Sequence, residues 1–168
     1  MHSFDVFDTS LVRTLAIPDH LFFVLAETLL IRRGDDASKE KIADLARLRI
    51  QAARSARRAS NRDDVPLEEI YRHIDLESWG IASVEMMEEE LRLGSEAVRP
   101  VARTRAELER VRGAGEQIVF ISDTPLPAAH LRKMLECAGM AHPDDRVYTS
   151  SDVGLTKSSG RLFGYVLE

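Results

Sequence analysis

A single cysteine, Cys137, is present among the 168 residues, so no disulfide can form within the chain. In "LRKMLECAG" it reads as a small buried hydrophobe. A basic excess is also missing. Lys and Arg number 23 against 28 Asp and Glu, and the formal net charge of −5 excludes a general nucleic-acid binder, whose footprint is basic. No apolar run reaches the length of a membrane span. The five histidines (His2, His20, His73, His130 and His142) show no metal-ligand spacing and read as surface or helix residues. "GAG" at Gly113–Gly115 lacks the rest of a dinucleotide fingerprint. There is no internal repeat and no low-complexity linker. No leader segment is visible, which makes the cytoplasm the expected compartment.

What is present is an ordinary globular composition, 44% hydrophobic and 30% charged. Residues 2 to 7 read as a short strand. "PDHLFFVLAETLLIRR" reads as a helix with Pro18 in its first turn and Gly34 as its stop. A long helix is expected from about Ser38 to Ala59, with Leu45, Leu48, Ala52, Ala56 and Ala59 on one face. A short helix follows Pro66, another runs over residues 83 to 98 with Ser83 as N-cap, and a third over residues 103 to 112. Then the texture changes. "QIVFIS", ending at Ser122, is a continuous apolar run of the kind buried on both faces of a parallel sheet. Pro127 opens a helix, "RVYTSS" makes a third strand, and the final residues begin a helix. Strands alternating with helices imply a parallel sheet. The expected fold class is therefore α/β, a Rossmann-like three-layer parallel sheet with an inserted α-helical block. Its boundaries are 1–14 and 99–168 for the core and 15–98 for the insertion.

Ligands of open α/β sheets sit at the carboxyl ends of the strands. The first strand ends in Asp5-Val6-Phe7-Asp8-Thr9, the second in Ser122-Asp123-Thr124, the third in Thr149-Ser150-Ser151-Asp152, with Lys157 close behind. Acids are poor strand residues, because burial costs them solvation. Three polar strand ends and a lysine point to a site built across the sheet.

In order and spacing, "FDVFDTSL", "VFISDT" and "SSDVGLTKSSG" resemble the first three motifs of the haloacid dehalogenase (HAD) superfamily of hydrolases. The helical insertion resembles that family's cap. More narrowly, "SFDVFDT", "FISDTPLP" and "GLTK" are similar to an uncharacterised branch of predicted hydrolases. The resemblance implies a phosphatase-type hydrolase with a small phosphorylated substrate. Asp5 would be the nucleophile, forming an aspartyl-phosphate. Ser122 would donate to a phosphoryl oxygen, and Lys157 would neutralise carboxylate and phosphate. Mg²⁺ would bind Asp5 and the backbone carbonyl of Phe7. Thr9 would hold the loop, with Asp123 and Thr124 lining the substrate site.

This sequence departs from the family pattern twice. Phe7 stands where the family's phosphatases carry a second Asp, the acid that protonates the leaving group. Its loss slows departure by roughly 10²–10⁴-fold. Asp8 is one residue out of step on an alternating strand. It joins the catalytic set if the strand ends early and its carboxylate swings in. The second departure is the fourth motif, one or two metal-binding acids after a further strand, because the sequence reaches Glu168 before such a strand begins. The first strand would then be an open sheet edge, from which a homodimer or larger assembly is expected. Two alternatives stay open: a catalytically degenerate domain that binds or assembles, and a 2-haloacid dehalogenase, whose class also lacks the second Asp.

Six arginines fall between Arg47 and Arg62. Arg47, Arg54 and Arg58 read as a solvated face, partly paired with the acidic run Glu85–Glu90. Arg49 lies near the apolar stripe. It is read as either a snorkelling side chain or a ligand for a substrate anion.

Overall fold

The computed structural model describes residues 1–167, which divide into two compact units. The first comprises Met1–Thr14, Arg62–Pro66 and the chain from Val98 onward; the second comprises Leu15–Asn61 and Leu67–Ala97. The sequence reading gave Arg62–Pro66 to the helical block, whereas the structure groups it with the α/β unit.

That unit is built on three parallel strands in the order β1 (His2–Asp5), β4 (Ile118–Ser122), β5 (Arg146–Thr149). All five residues of β4 are buried, as its unbroken apolar run requires. Side chains alternate between faces. Ile118 and Phe120 meet Leu108 and Val111 of α5 (Ala102–Gly113) and Leu131, Met134 and Leu135 of α6 (Ala128–Cys137). Val119 and Ile121 meet Leu162 and Val166 of α8 (Arg161–Leu167). Helices therefore cover both faces of the sheet. Between β5 and α8 lies the short α7 (Ser150–Val153), whose Asp152 carboxylate accepts the N–H of Ala128 at the start of α6, 2.9 Å away. Cys137, expected to be buried, is exposed at the end of α6.

The pattern did not predict a second sheet. β2 (Leu11–Arg13) pairs antiparallel with β3 (Val98–Pro100), joining the chain's first exit from the α/β unit to its last return. Three-residue strands almost ninety positions apart, one of them ending in proline, leave no periodic signal. β1 also stops earlier than expected. Ser10 and Leu11 both donate their N–H groups to the carbonyl of Val6, and Asp8 takes a left-handed φ of 62°. The chain thus turns immediately after Asp5.

The helical unit contains α1 (His20–Arg33), α2 (Lys39–Ala59), α3 (Leu67–Arg72) and α4 (Ser83–Glu96). Its core includes Leu25, Leu29, Leu45, Ala52, Ala56, Ile70 and Met86. Ser83 is the first residue of α4 and Ala82 the N-cap, so the expected serine cap is absent. Arg47, Arg54 and Arg58 are exposed, and Arg47 pairs with Asp44 at 3.0 Å rather than with the acidic run. Among the described residues no helix is long and apolar enough to cross a membrane.

Candidate active site

Two side chains 152 positions apart meet at the carboxyl edge of the parallel sheet. The ammonium Nζ of Lys157 donates to Asp5 Oδ1 at 2.6 Å. The Val6 N–H donates to the same oxygen at 2.7 Å. Among the described residues Asp5 Oδ2 has no donor. The Asp5 side chain is 44% exposed and that of Lys157 21%, so the pair is open to a ligand. A charge-assisted contact of this length fixes the carboxylate and compensates its charge.

Both ends of the pair are anchored locally. Ser10, fully buried, donates its hydroxyl to the Asp5 carbonyl at 2.6 Å, and its own carbonyl accepts the Val101 N–H. The loop-holding role expected of Thr9 is therefore seen at Ser10, while the Thr9 carbonyl accepts the Thr104 hydroxyl. The Lys157 N–H donates to the Asp123 carboxylate, 2.9 and 3.2 Å from its two oxygens. Asp123 thus joins the loop after β4 to the loop that carries the lysine. Thr124 is buried, and its N–H donates to the Ser150 hydroxyl at 2.8 Å. As placed, Thr124 is a framework residue.

Three expectations fare differently. Ser122 is buried and pairs with Thr149, whereas Asp5 pairs with Ile121. By alternation Asp5 therefore shares the face of Val119 and Ile121, and Ser122 the opposite face with Phe120. The structure brings Asp5, Lys157 and Asp123 together; Ser122 is buried as the last residue of β4, on the Phe120 register. Asp8 does not swing in. Its left-handed backbone turns the carboxylate to Arg13, with Nη1 at 2.6 Å, and the Arg13 guanidinium lies 4.1 Å from the Phe7 ring centroid. Arg49 is no anion ligand. It is buried in the helical unit, donating from Nε and Nη2 to the two oxygens of Glu90 at 2.7 Å each. Burial alone would lower its pKa, and the Glu90 carboxylate more than reverses that. The Tyr71 hydroxyl also donates to Glu90, and burial pushes its pKa well up.

The reading from sequence missed Ser10 and the segment Arg62–Asp64, whose side chains hold the site's loops. No sequence signal marks them, because a Ser between two strands and Arg and Asp in a turn between helices are ordinary.

A divalent cation has few ligands here. No cluster of three or more His, Cys, Asp or Glu suited to a metal occurs among the described residues. The Asp5 carboxylate and the Phe7 carbonyl are hard oxygen donors, and Mg²⁺ is commonly held by one or two carboxylates together with water and substrate phosphate. The donor set fits Mg²⁺ only with a phosphorylated ligand completing the shell.

No family model matches the chain, and no curated protein matches it in sequence. Its structure is similar to a solved one, the Bacillus subtilis protein YfnB, provisionally described as a HAD-hydrolase and bound to magnesium. The likeness has a TM-score of 0.55 at 16% identity and covers 98% of this chain and 70% of that one. The chain shares the fold of that HAD-type protein.

Proposed function

We propose that this domain is a HAD-like hydrolase that acts on a small phosphate ester through a covalent Asp5 intermediate. The observation that carries this reading is the Lys157–Asp5 contact, 2.6 Å, on an exposed carboxylate at the carboxyl edge of the sheet. With Oδ1 held by Lys157 and Val6, Oδ2 is the oxygen free to attack. It would form a bond to phosphorus as the bond from phosphorus to the leaving oxygen breaks, the electron pair departing with that oxygen. Water then attacks the phosphorus of the aspartyl-phosphate, releasing inorganic phosphate and restoring the carboxylate. Lys157 offsets the negative charge that gathers in both steps. Asp5 and the Phe7 carbonyl would hold Mg²⁺ together with the substrate, and the ion would supply further charge neutralisation.

Among the described residues, neither Phe7 nor Asp8, whose carboxylate turns to Arg13, supplies the acid that would protonate the leaving group. Phosphates of weakly basic leaving groups, such as 4-nitrophenyl phosphate, are therefore expected to turn over about 10²–10⁴-fold faster than alkyl phosphates, the scale of a missing general acid. The measurement is phosphate release across such a panel with Mg²⁺, for the wild type and Asp5→Asn. Equal turnover by both proteins overturns the proposal.

The same missing acid favours one other reading. Halide needs no proton to depart, so Asp5 Oδ2 attacking the α-carbon of a 2-haloacid would expel halide and leave an ester for water to hydrolyse. Halide release lost in Asp5→Asn, without phosphate release, would favour it. Silence in both assays would favour a binding or assembly role.

A further inference from the structure

Three consecutive residues between α2 and α3 (Arg62, Asp63 and Asp64) belong to the α/β unit, and each holds a loop of the candidate site. Asp63 takes the lysine loop. Its Oδ2 accepts the Ser159 hydroxyl at 2.9 Å and the Thr156 N–H at 3.3 Å, its Oδ1 pairs with Arg161, and its own N–H donates to the Gly154 carbonyl at 3.0 Å. These partners bracket Lys157 on both sides. The Ser159 hydroxyl bond is the largest influence holding the Asp63 carboxyl below its usual range; burial opposes it, and the Thr156 N–H and Arg161 add to the lowering. Asp64, buried, takes the other loop. Its Oδ2 accepts the Ser150 hydroxyl at 2.7 Å, and that hydroxyl accepts the N–H of Thr124, beside Asp123. Arg62 joins the two, donating to the carbonyls of Ser151 at 2.5 Å and Asp152 at 3.0 Å.

We propose that Arg62–Asp64 is a positioning strap: Asp63 sets the place of Lys157, and Asp64 sets the loop after β4 that carries Asp123. The assignment rests on Asp5 and Lys157 being the working site. Lys157 reaches Asp5 from a loop whose backbone, apart from Asp63, is held from outside by Asp123 at Lys157 itself and by Arg62 further back, at residues 151 and 152. A loop held by few bonds opens at low cost. A carboxylate accepting several bonds from residues 156, 159 and 161 removes that freedom, as a supporting shell must if it is to hold a reactive pair within about 0.5 Å.

The test separates the two arms of the strap and uses readouts that do not depend on turnover. Lys157 acylation by acetic anhydride and amide hydrogen exchange over residues 123–126 and 155–160 are measured for the wild type, Asp63→Ala, Asp63→Asn and Asp64→Asn, with the melting temperature as a control. Asp63→Ala is expected to speed Lys157 acylation and exchange at 155–160 about tenfold or more, the scale of losing one hydrogen bond to a charged group. Asp63→Asn, which keeps an acceptor, should recover part of the loss. Asp64→Asn should speed exchange at 123–126 and speed Lys157 acylation less than Asp63→Ala does, because it reaches the lysine only through Asp123. Unchanged acylation in Asp63→Ala, or equal loosening of both loops by both variants, overturns the proposal. If the wild type hydrolyses 4-nitrophenyl phosphate, Asp63→Ala should lower kcat more than it raises KM. If wild type and Asp5→Asn are equally inactive, the hydrolase reading fails while the acylation and exchange results still decide the strap.

Discussion

Asp5 and Arg49 show how differently one chain treats a charged side chain. Asp5 ends a strand, stays 44% exposed, and has its charge met by one lysine and one amide. Arg49 is only 2% exposed and has its charge met by a bidentate carboxylate, with Phe22 stacked at 4.6 Å. The first arrangement leaves an oxygen available for chemistry, and the second uses its donors for packing. Breaking a buried pair by removing one partner leaves an uncompensated charge in a dry site, which costs about 3–5 kcal/mol. Arg49→Ala is therefore expected to destabilise the protein on that scale in urea titrations, and joint replacement of Arg49 and Glu90 by apolar residues of similar size to recover most of the loss. An Arg49→Ala protein of wild-type stability that binds substrate poorly would restore the anion-ligand reading.

The connections do at the level of elements what the strands and helices do not. β4 needs only its own apolar run to find the centre of the sheet. The loop from Thr149 to Arg161 carries Lys157 and is held from outside, by Asp123, Asp63 and Arg62. Gly154 lies where these restraints meet. Its φ is +82°, and a Cβ there would stand 2.5 Å from Arg62 Nε. A left-handed backbone costs a non-glycine residue about 1–2 kcal/mol, before any displacement of Arg62. Gly154→Ala should lower the melting temperature and expose Lys157 to acylation, because Arg62 must leave the carbonyls of Ser151 and Asp152. A variant with wild-type stability and acylation would show that the loop does not depend on that close approach.

For the whole molecule, the division into an α/β unit and a helical unit is less simple than an insertion between two points. The chain enters the α/β unit three times, and the middle entry, Arg62–Pro66, is only five residues long. Among the described residues the sheet is open on the β1 side. Among the described residues β1 pairs with β4 alone, its exposed positions being Ser3 and Asp5. An unpaired parallel edge favours pairing with another chain, and a second copy is always at hand. Light scattering is expected to find self-association that Ser3→Lys weakens, and a dilution-resistant monomer would overturn that expectation.

The sequence by itself determined the elements whose signal is local. The buried strand at Ile118–Ser122, the helices with apolar faces, and the polar residues at the strand ends could all be read from periodicity and from the cost of placing acids in strands. The meeting of Asp5 with Lys157 was legible only as a resemblance in motif order, not from the spacing of the two residues. Only the tertiary structure decided that β1 stops at Asp5, that Asp8 faces Arg13, and that β2 pairs with β3. It alone showed that Arg62–Asp64 returns to the lysine loop. The physical reason is range. Patterns of 2 and 3.6 residues record what a segment buries against its own neighbours. A hydrogen bond between residues 63 and 159 is fixed by where the backbone carries them, and neither residue type betrays it in advance.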